Sequence, residues 1–135
     1  MKFHKTDNGR ICRSFKDDCV VRSVSLATDQ SYDQTFKELM TLGLEVGAYP
    51  NHDKVWIRYL EDKGFVKNKP PRLNGKLIKL ENWSDHPQVA VVRNSGHVAA
   101  LVDGILHDEW DCRYRPVNSY WTYTEDKLTS SCPVL

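Results

Sequence analysis

The chain has 135 residues, 40% of them hydrophobic and 27% charged, and its 19 basic and 18 acidic residues leave a net charge of +1. These values suit one globular domain, expected to span 1–135, and exclude collagen, coiled coil or disorder as whole-chain descriptions. A basic excess or stripe of the kind that marks a nucleic-acid binder is missing, and Lys67–Lys69 with Arg72 reads as a solvated loop. No apolar run approaches the roughly 18 residues of a membrane span. Met1-Lys2-Phe3-His4-Lys5 has no apolar segment behind its charges, which argues against a signal peptide. The expectation is a cytoplasmic protein that binds neither nucleic acid nor membrane. Its four cysteines, Cys12, Cys19, Cys112 and Cys132, are then free thiols. They form no CxxC pair, so neither a metal nor an organic cofactor is expected.

Asp7-Asn8-Gly9 is a turn signal between Lys2–Thr6 and Arg10–Arg13, which predicts a small hairpin. Asp17 or Asp18 can cap the helix that follows, where Val20, Val21, Val24 and Ala27 recur at helical spacing and Cys19 falls in the first turn. Ser31 with Gln34 three positions on is a capping-box pattern. It predicts a helix from about Tyr32 to Leu42, stopped by Gly43. A third helix follows Pro50-Asn51-His52-Asp53, with Val55, Trp56, Tyr59 and Leu60 inward and Gly64 at its end. Residues 65–74 read as a Lys/Pro-rich surface loop, and 77–85 as either a strand or a short helix.

The second half changes character. Strands are predicted over 88–93, 97–102, 105–110 and 117–123, with Asp103-Gly104 as a two-residue hairpin turn. Helices first and antiparallel strands after give an α+β fold, with the helices packed on one side of the sheet.

Three positions carry chemistry. Cys19 at a helix N-terminus meets unpaired N–H groups and a partial positive charge, both of which favour thiolate. His97 follows Gly96 at a strand start, where the absence of a side chain permits close approach. With Asp103-Gly104 as a two-residue loop, cross-strand partners sum to 207. His97 then faces Trp110, and Asp108 lies diagonally beside it on the same face. Asp108 can accept from one ring nitrogen and leave the other for Cys19. His107 and Asp111 fall on the opposite face. The bland readings are that Cys19 is a small core residue, His97 a satisfied strand-end residue and Asp108 a strand cap. His52 and His86, beside Asp53 and Asp85, read as polar surface. Arg22, one turn after Cys19, reads as a partner of Asp18 or of a substrate carboxylate, with the salt bridge favoured, and Trp56, Trp83 and Trp121 read as core or cleft walls.

The order Cys on a helix, His on a strand, then Asp two residues before Trp resembles the papain-like cysteine peptidase superfamily. The segments around Asp18-Cys19-Val20-Val21-Arg22-Ser23 and from Ser95-Gly96-His97 to Asp108-Glu109-Trp110-Asp111 look like small papain-like proteins of bacteriophage and bacterial genomes, and like bacteriocin-leader-processing peptidase domains. The resemblance spans roughly residues 15–123. It implies a papain-like fold and a cysteine-dependent hydrolase with Cys19, His97 and Asp108 as its triad. Such an enzyme cleaves a peptide, isopeptide or other amide bond through a thioester, and a phage-encoded one works in the host cytoplasm. The resemblance also implies that Trp110 shields the His97–Asp108 hydrogen bond. The Cys19 N–H supplies one oxyanion donor, and Ser14 or Asn8 is a candidate for the second. A non-catalytic scaffold that binds a phage or host factor, or an acyltransferase with the same triad, are the competing readings.

Overall fold

The computed structural model describes residues 1–8, 10 and 17–123. Three helices, α1 (Cys19–Ala27), α2 (Tyr32–Val46) and α3 (Asp53–Asp62), precede most of the sheet. The strands are β1 (Lys2–Lys5), β2 (Phe65–Asn68), β3 (Arg72–Leu73), β4 (Lys76–Leu77), β5 (Val89–Asn94), β6 (His97–Val102), β7 (Ile105–Asp108) and β8 (Ser119–Tyr123). Six of them form one sheet in the order β1-β7-β6-β5-β8-β2, and β3 and β4 form a separate two-stranded ribbon. The α+β architecture is as expected, with the helices packed against a mostly antiparallel sheet. The exception is β1, which runs parallel to β7 at the edge.

Both faces of the sheet are buried, by different means. On the helix side, Val20, Val21 and Val24 of α1 and Val55, Trp56 and Leu60 of α3 pack with Val91, Val98 and Trp121 from the strands. The opposite face is covered by chain without long helices: Leu80, Trp83, Cys112 and Val117 pack on Ala90, Val92, Ala99, Leu101 and Leu106. Strand alternation explains the division, since neighbouring residues of β5 and β6 go to opposite faces. Apolar β5 and β6, central and buried on both sides, therefore show no polar–apolar alternation.

Several expectations needed correction. Lys2–Lys5 does not form a described hairpin with Arg10–Arg13. It pairs with β7, Arg10 turns to other partners, and residues 11–13 lie outside the described residues. Residues 65–74 are not all loop, because Phe65 is buried against Tyr123 and carries β2 into the sheet. Residues 77–85 hold the end of β4 and one 3₁₀ turn, Leu80–Asn82. β7 stops at Asp108, two residues earlier than expected, and β8 begins at Ser119. Among the described residues no helix is long and apolar enough to cross a membrane.

The second helix does not stop at Gly43. It runs to Val46 and ends on Gly47, whose φ of 84° is the left-handed conformation that glycine adopts without strain. Gly43 serves packing instead: a Cβ placed there would stand 2.5 Å from the Ala48 carbonyl oxygen. Alanine normally improves a helix interior by about 1 kcal/mol over glycine. Here the clash is with backbone, which cannot swing aside. We predict that Gly43→Ala lowers unfolding free energy in urea by about 1–3 kcal/mol, the opposite sign to the propensity effect.

Candidate active site

Cys19 is the first residue of α1, and Asp18 occupies the N-cap position without capping: its side chain makes no bond to the first-turn amides. The carboxylate is engaged elsewhere. Asp18 Oδ1 accepts from Arg22 Nε at 2.9 Å, and Oδ2 accepts from Arg10 Nη1 at 2.8 Å and the Tyr32 hydroxyl at 2.9 Å. Asp18 thus leaves the first-turn amides, Cys19's included, uncapped by its own side chain at the positive end of the helix.

His97 opens β6 and Asp108 closes β7, so both sit at one end of the sheet. The two-residue turn holds Ala100 opposite His107 and Leu101 opposite Leu106, in the expected register. Asp103 and Gly104 take φ of 52° and 78°, as such a turn requires. His97 Nε2 and Asp108 Oδ2 stand 2.5 Å apart. The ring of Trp110 lies over the imidazole, with centroids 4.8 Å apart. Cys19 lies beside His97 and the Val98 backbone, both of which act on its ionisation. The three residues expected from sequence are thus brought together, and Cys19, His97 and Trp110 line one cleft of about 790 Å³.

Asp108 is 1% exposed and its carboxylate is saturated. Oδ1 accepts from Arg22 Nη1 at 2.8 Å and from the Glu109 amide at 2.8 Å, while Oδ2 is approached by His97 and, at 3.5 Å, by the Cys112 thiol. Burial by itself would raise the Asp108 pKa, but the bonds from His97 and Arg22 outweigh it and hold the group below the ordinary carboxylate range. Asp18 is lowered in the same way, its desolvation overcome by Arg22, Arg10 and Tyr32. Burial would lower His97. Its bonds to Asp108, Cys112 and Cys19 win, and push it up to about 11. Burial would raise the Cys19 thiol, yet the hydrogen bonds from His97 and the Val98 backbone, with the charges of His97 and Arg22, bring it down. The arrangement favours thiolate beside imidazolium.

Arg22 does more than pair with Asp18. Its buried guanidinium bridges Asp18 to Asp108. Cys112 is a participant to which the sequence assigns no role at the site. It is fully buried, accepts from Asn94 Nδ2 at 3.6 Å and sits behind Asp108, away from the cleft. Helical spacing placed Arg22 one turn from Cys19, a signal that could have been used. Nothing local marks Cys112, because its position depends on how the chain folds after β7.

His97, Asp108 and Cys112 bring donor atoms within 4.8 Å of one another, a set that invites comparison with a metal site. The distances favour hydrogen bonding. Zinc holds nitrogen and oxygen ligands at about 2.0–2.2 Å, which separates two tetrahedral ligands by roughly 3.3 Å, whereas Nε2 and Oδ2 are at 2.5 Å. The Arg22 cation on the other carboxylate oxygen also opposes a dication.

Asn8 is not at the site. Its Nδ2 donates to Ser25 Oγ, farther along α1, and Ser14 lies outside the described residues. Asn51 is a polar side chain that does line the cleft. His52 caps α3 by accepting from the Lys54 amide at 3.1 Å, and His86 Nδ1 lies 2.9 Å from the Pro87 carbonyl, so both have structural partners. Trp56, Trp83 and Trp121 are core residues, and Trp56 also reaches the cleft wall. No protein-family profile, curated protein or solved structure matches the chain.

Removing Arg22 leaves two buried carboxylates facing one another. Arg22→Ala should cost about 3–5 kcal/mol of unfolding free energy at neutral pH, read by urea denaturation. Arg22→Lys should recover only part, because an ammonium cannot span both carboxylates as a planar fork does. Stability should also depend on pH. The lowered pKa values of Asp18 and Asp108 mean that their stabilisation is present above about pH 4 and is lost as pH falls through their folded values. The raised His97 acts in the other sense: its contribution is complete below 6.5 and fades as pH climbs toward about 11. The lowered Cys19 opposes that alkaline loss, so the His97 limb is best measured in Cys19→Ala. There unfolding free energy should fall above pH 6.5, and adding Asp108→Asn should flatten the slope.

Proposed function

We propose that the protein is a cysteine-dependent acyl-transfer enzyme, a hydrolase of amide bonds in a peptide, isopeptide or related substrate. The observation that carries this reading is the short hydrogen bond from His97 to the buried Asp108, with Cys19 and His97 lining the same cleft. The chemistry follows from the proton positions. Asp108 holds Nε2 of His97, so the other ring nitrogen is the one available to Cys19. The Cys19 thiolate attacks the substrate carbonyl. The Cys19 N–H, at the positive end of α1, is placed to stabilise the oxyanion. His97 gives its proton to the departing amine, leaving a thioester on Cys19. It then takes a proton from water, which attacks the thioester and frees the acid. Trp110 covers the imidazole and limits water at the His97–Asp108 bond. The resemblance to papain-like cysteine peptidases agrees with this assignment of roles.

Cys19 is favoured over Cys112 as nucleophile on access. Cys112 has no exposed surface, whereas Cys19 is partly exposed in the cleft. Transfer to an amine in place of water would use the same thioester, and an added amine that captures the acyl group would reveal it.

Iodoacetamide should label Cys19 rapidly at pH 6, with an apparent pKa well below the free-thiol value of about 8.5, and His97→Ala should restore ordinary thiol behaviour. With an activated ester, a burst of leaving group should accompany one acyl group on Cys19, seen by mass spectrometry, and Cys19→Ala should abolish it. Asp108→Asn should slow acylation by roughly 10²–10⁴-fold. A Cys19 that labels at pH 6 no faster than it does in His97→Ala would refute the enzyme reading.

A further inference from the structure

Among the described residues two guanidinium groups line the cleft, and they are bound very differently. Arg22 is spent on two buried carboxylates. Arg93, on central strand β5, lies on aromatic rings, with its guanidinium carbon 5.1 Å from the centroid of Trp56 and 5.3 Å from that of Trp121. Those indoles are 1% and 0% exposed and pack on each other at 4.8 Å, so the platform is rigid. The Arg93 side chain is 25% exposed, so part of its N–H edge remains available to a ligand. Among the described residues its hydrogen-bond acceptor is Asp53 Oδ1, 2.7 Å from Nη2. A guanidinium has five N–H donors, so most of this edge is uncommitted.

Asp53 is a weak competitor for that edge. Its side chain is 58% exposed, and an ion pair with so exposed a partner contributes little. It also marks how a carboxylate can sit against this guanidinium. The other acidic groups of the cleft do not occupy Arg93: Glu109 is bound to Arg10 at 2.7 Å, and Asp17 is exposed to solvent. Among the described residues Arg93 is therefore the cleft cation with donors to spare, in the same cavity as Cys19 and His97.

We propose that Arg93 is a carboxylate anchor, and that the substrate carries a free carboxylate close to the bond that is cleaved, as in an acidic peptide or an amide of an acidic amino acid. The inference rests on the reading of the cleft as an acyl-transfer site. The substrate carboxylate takes the free donors of the fork, sharing or displacing Asp53, and so fixes the scissile carbonyl relative to Cys19. A planar fork of donors held against two packed indoles suits this task better than a mobile ammonium would.

The test uses two small probes that differ only in charge, N-acetyl-isoglutamine with one carboxylate and N-acetyl-glutaminamide with none. Binding to the full chain is followed by NMR, from the Arg93 Nε–H and the tryptophan indole N–H signals, a readout that does not require Cys19 to turn over. The acidic probe should bind at least tenfold more tightly than its neutral twin. Arg93→Gln should erase the difference, and Arg93→Lys, which keeps the charge and the stem over the indoles, should retain only part of it. Asp53→Asn should tighten the acidic probe severalfold by freeing the fork. Equal binding of the two probes, or an unchanged preference in Arg93→Gln, would overturn the proposal. Charge-selective binding in a protein whose Cys19 labels like an ordinary thiol would uphold the anchor while removing the enzyme reading, so the two failures are separable.

Discussion

One buried cation organises this site. Arg22 is held between Asp18, four residues before it on the same helix, and Asp108, 86 residues away at the end of β7. A guanidinium out of water is costly, and so are two carboxylates. Together, with Arg10, Tyr32, His97 and the Glu109 amide supplying the remaining bonds, they satisfy one another. Such a cluster has little tolerance for displacement, because moving one member strands the rest. It therefore fixes the helix that carries Cys19 against the strands that carry His97 and Asp108. Asp18, which by position should cap that helix, is drawn into the cluster, and its side chain makes no bond to the first-turn amides beside the nucleophile.

The second constraint is the β6–β7 turn. Side-chain direction alternates along a strand, so a shift of one residue would exchange Asp108 for His107 on the site's face. Asp103-Gly104 selects a tight turn whose backbone conformation few other pairs adopt easily, and that choice decides which carboxylate meets His97. His97 and Asp108 share a face with Ala99, Leu101 and Leu106, opposite the helix layer. They can still meet Cys19, because His97 begins its strand and Asp108 ends its own. At the end of a sheet, groups from both faces converge. This also explains why Cys112, part of the far cluster, lies behind Asp108 and not in the cleft.

Much of this was readable in the chain. The helix of Cys19 followed from valines at helical spacing, the strand pair from the Asp103-Gly104 turn, and the His97–Asp108 contact from the parity that turn imposes. These depend on local geometry, which sequence encodes directly. The misreadings share a cause. Gly43 looked like a helix stop because glycine often is one, but its role is to admit the Ala48 carbonyl, a neighbour that exists only after the chain turns back. The 65–74 segment looked like loop because of its lysines and prolines, yet buried Phe65 was enough to recruit β2 to the sheet.

The amino-acid sequence by itself determined the three helices and the central strands, the order of thiol, imidazole and carboxylate, and the face on which the last two lie. Those properties follow from periodicity and turn chemistry within a few residues. Only the tertiary structure decided that Arg22 joins Asp18 to Asp108, that Cys112 backs the carboxylate, and that Arg93 rests on Trp56 and Trp121 inside the cleft. Each of those contacts joins segments far apart in the chain. A buried charge or a stacked cation takes its partners from whatever the packed core brings near it, and spacing along the chain carries no record of that.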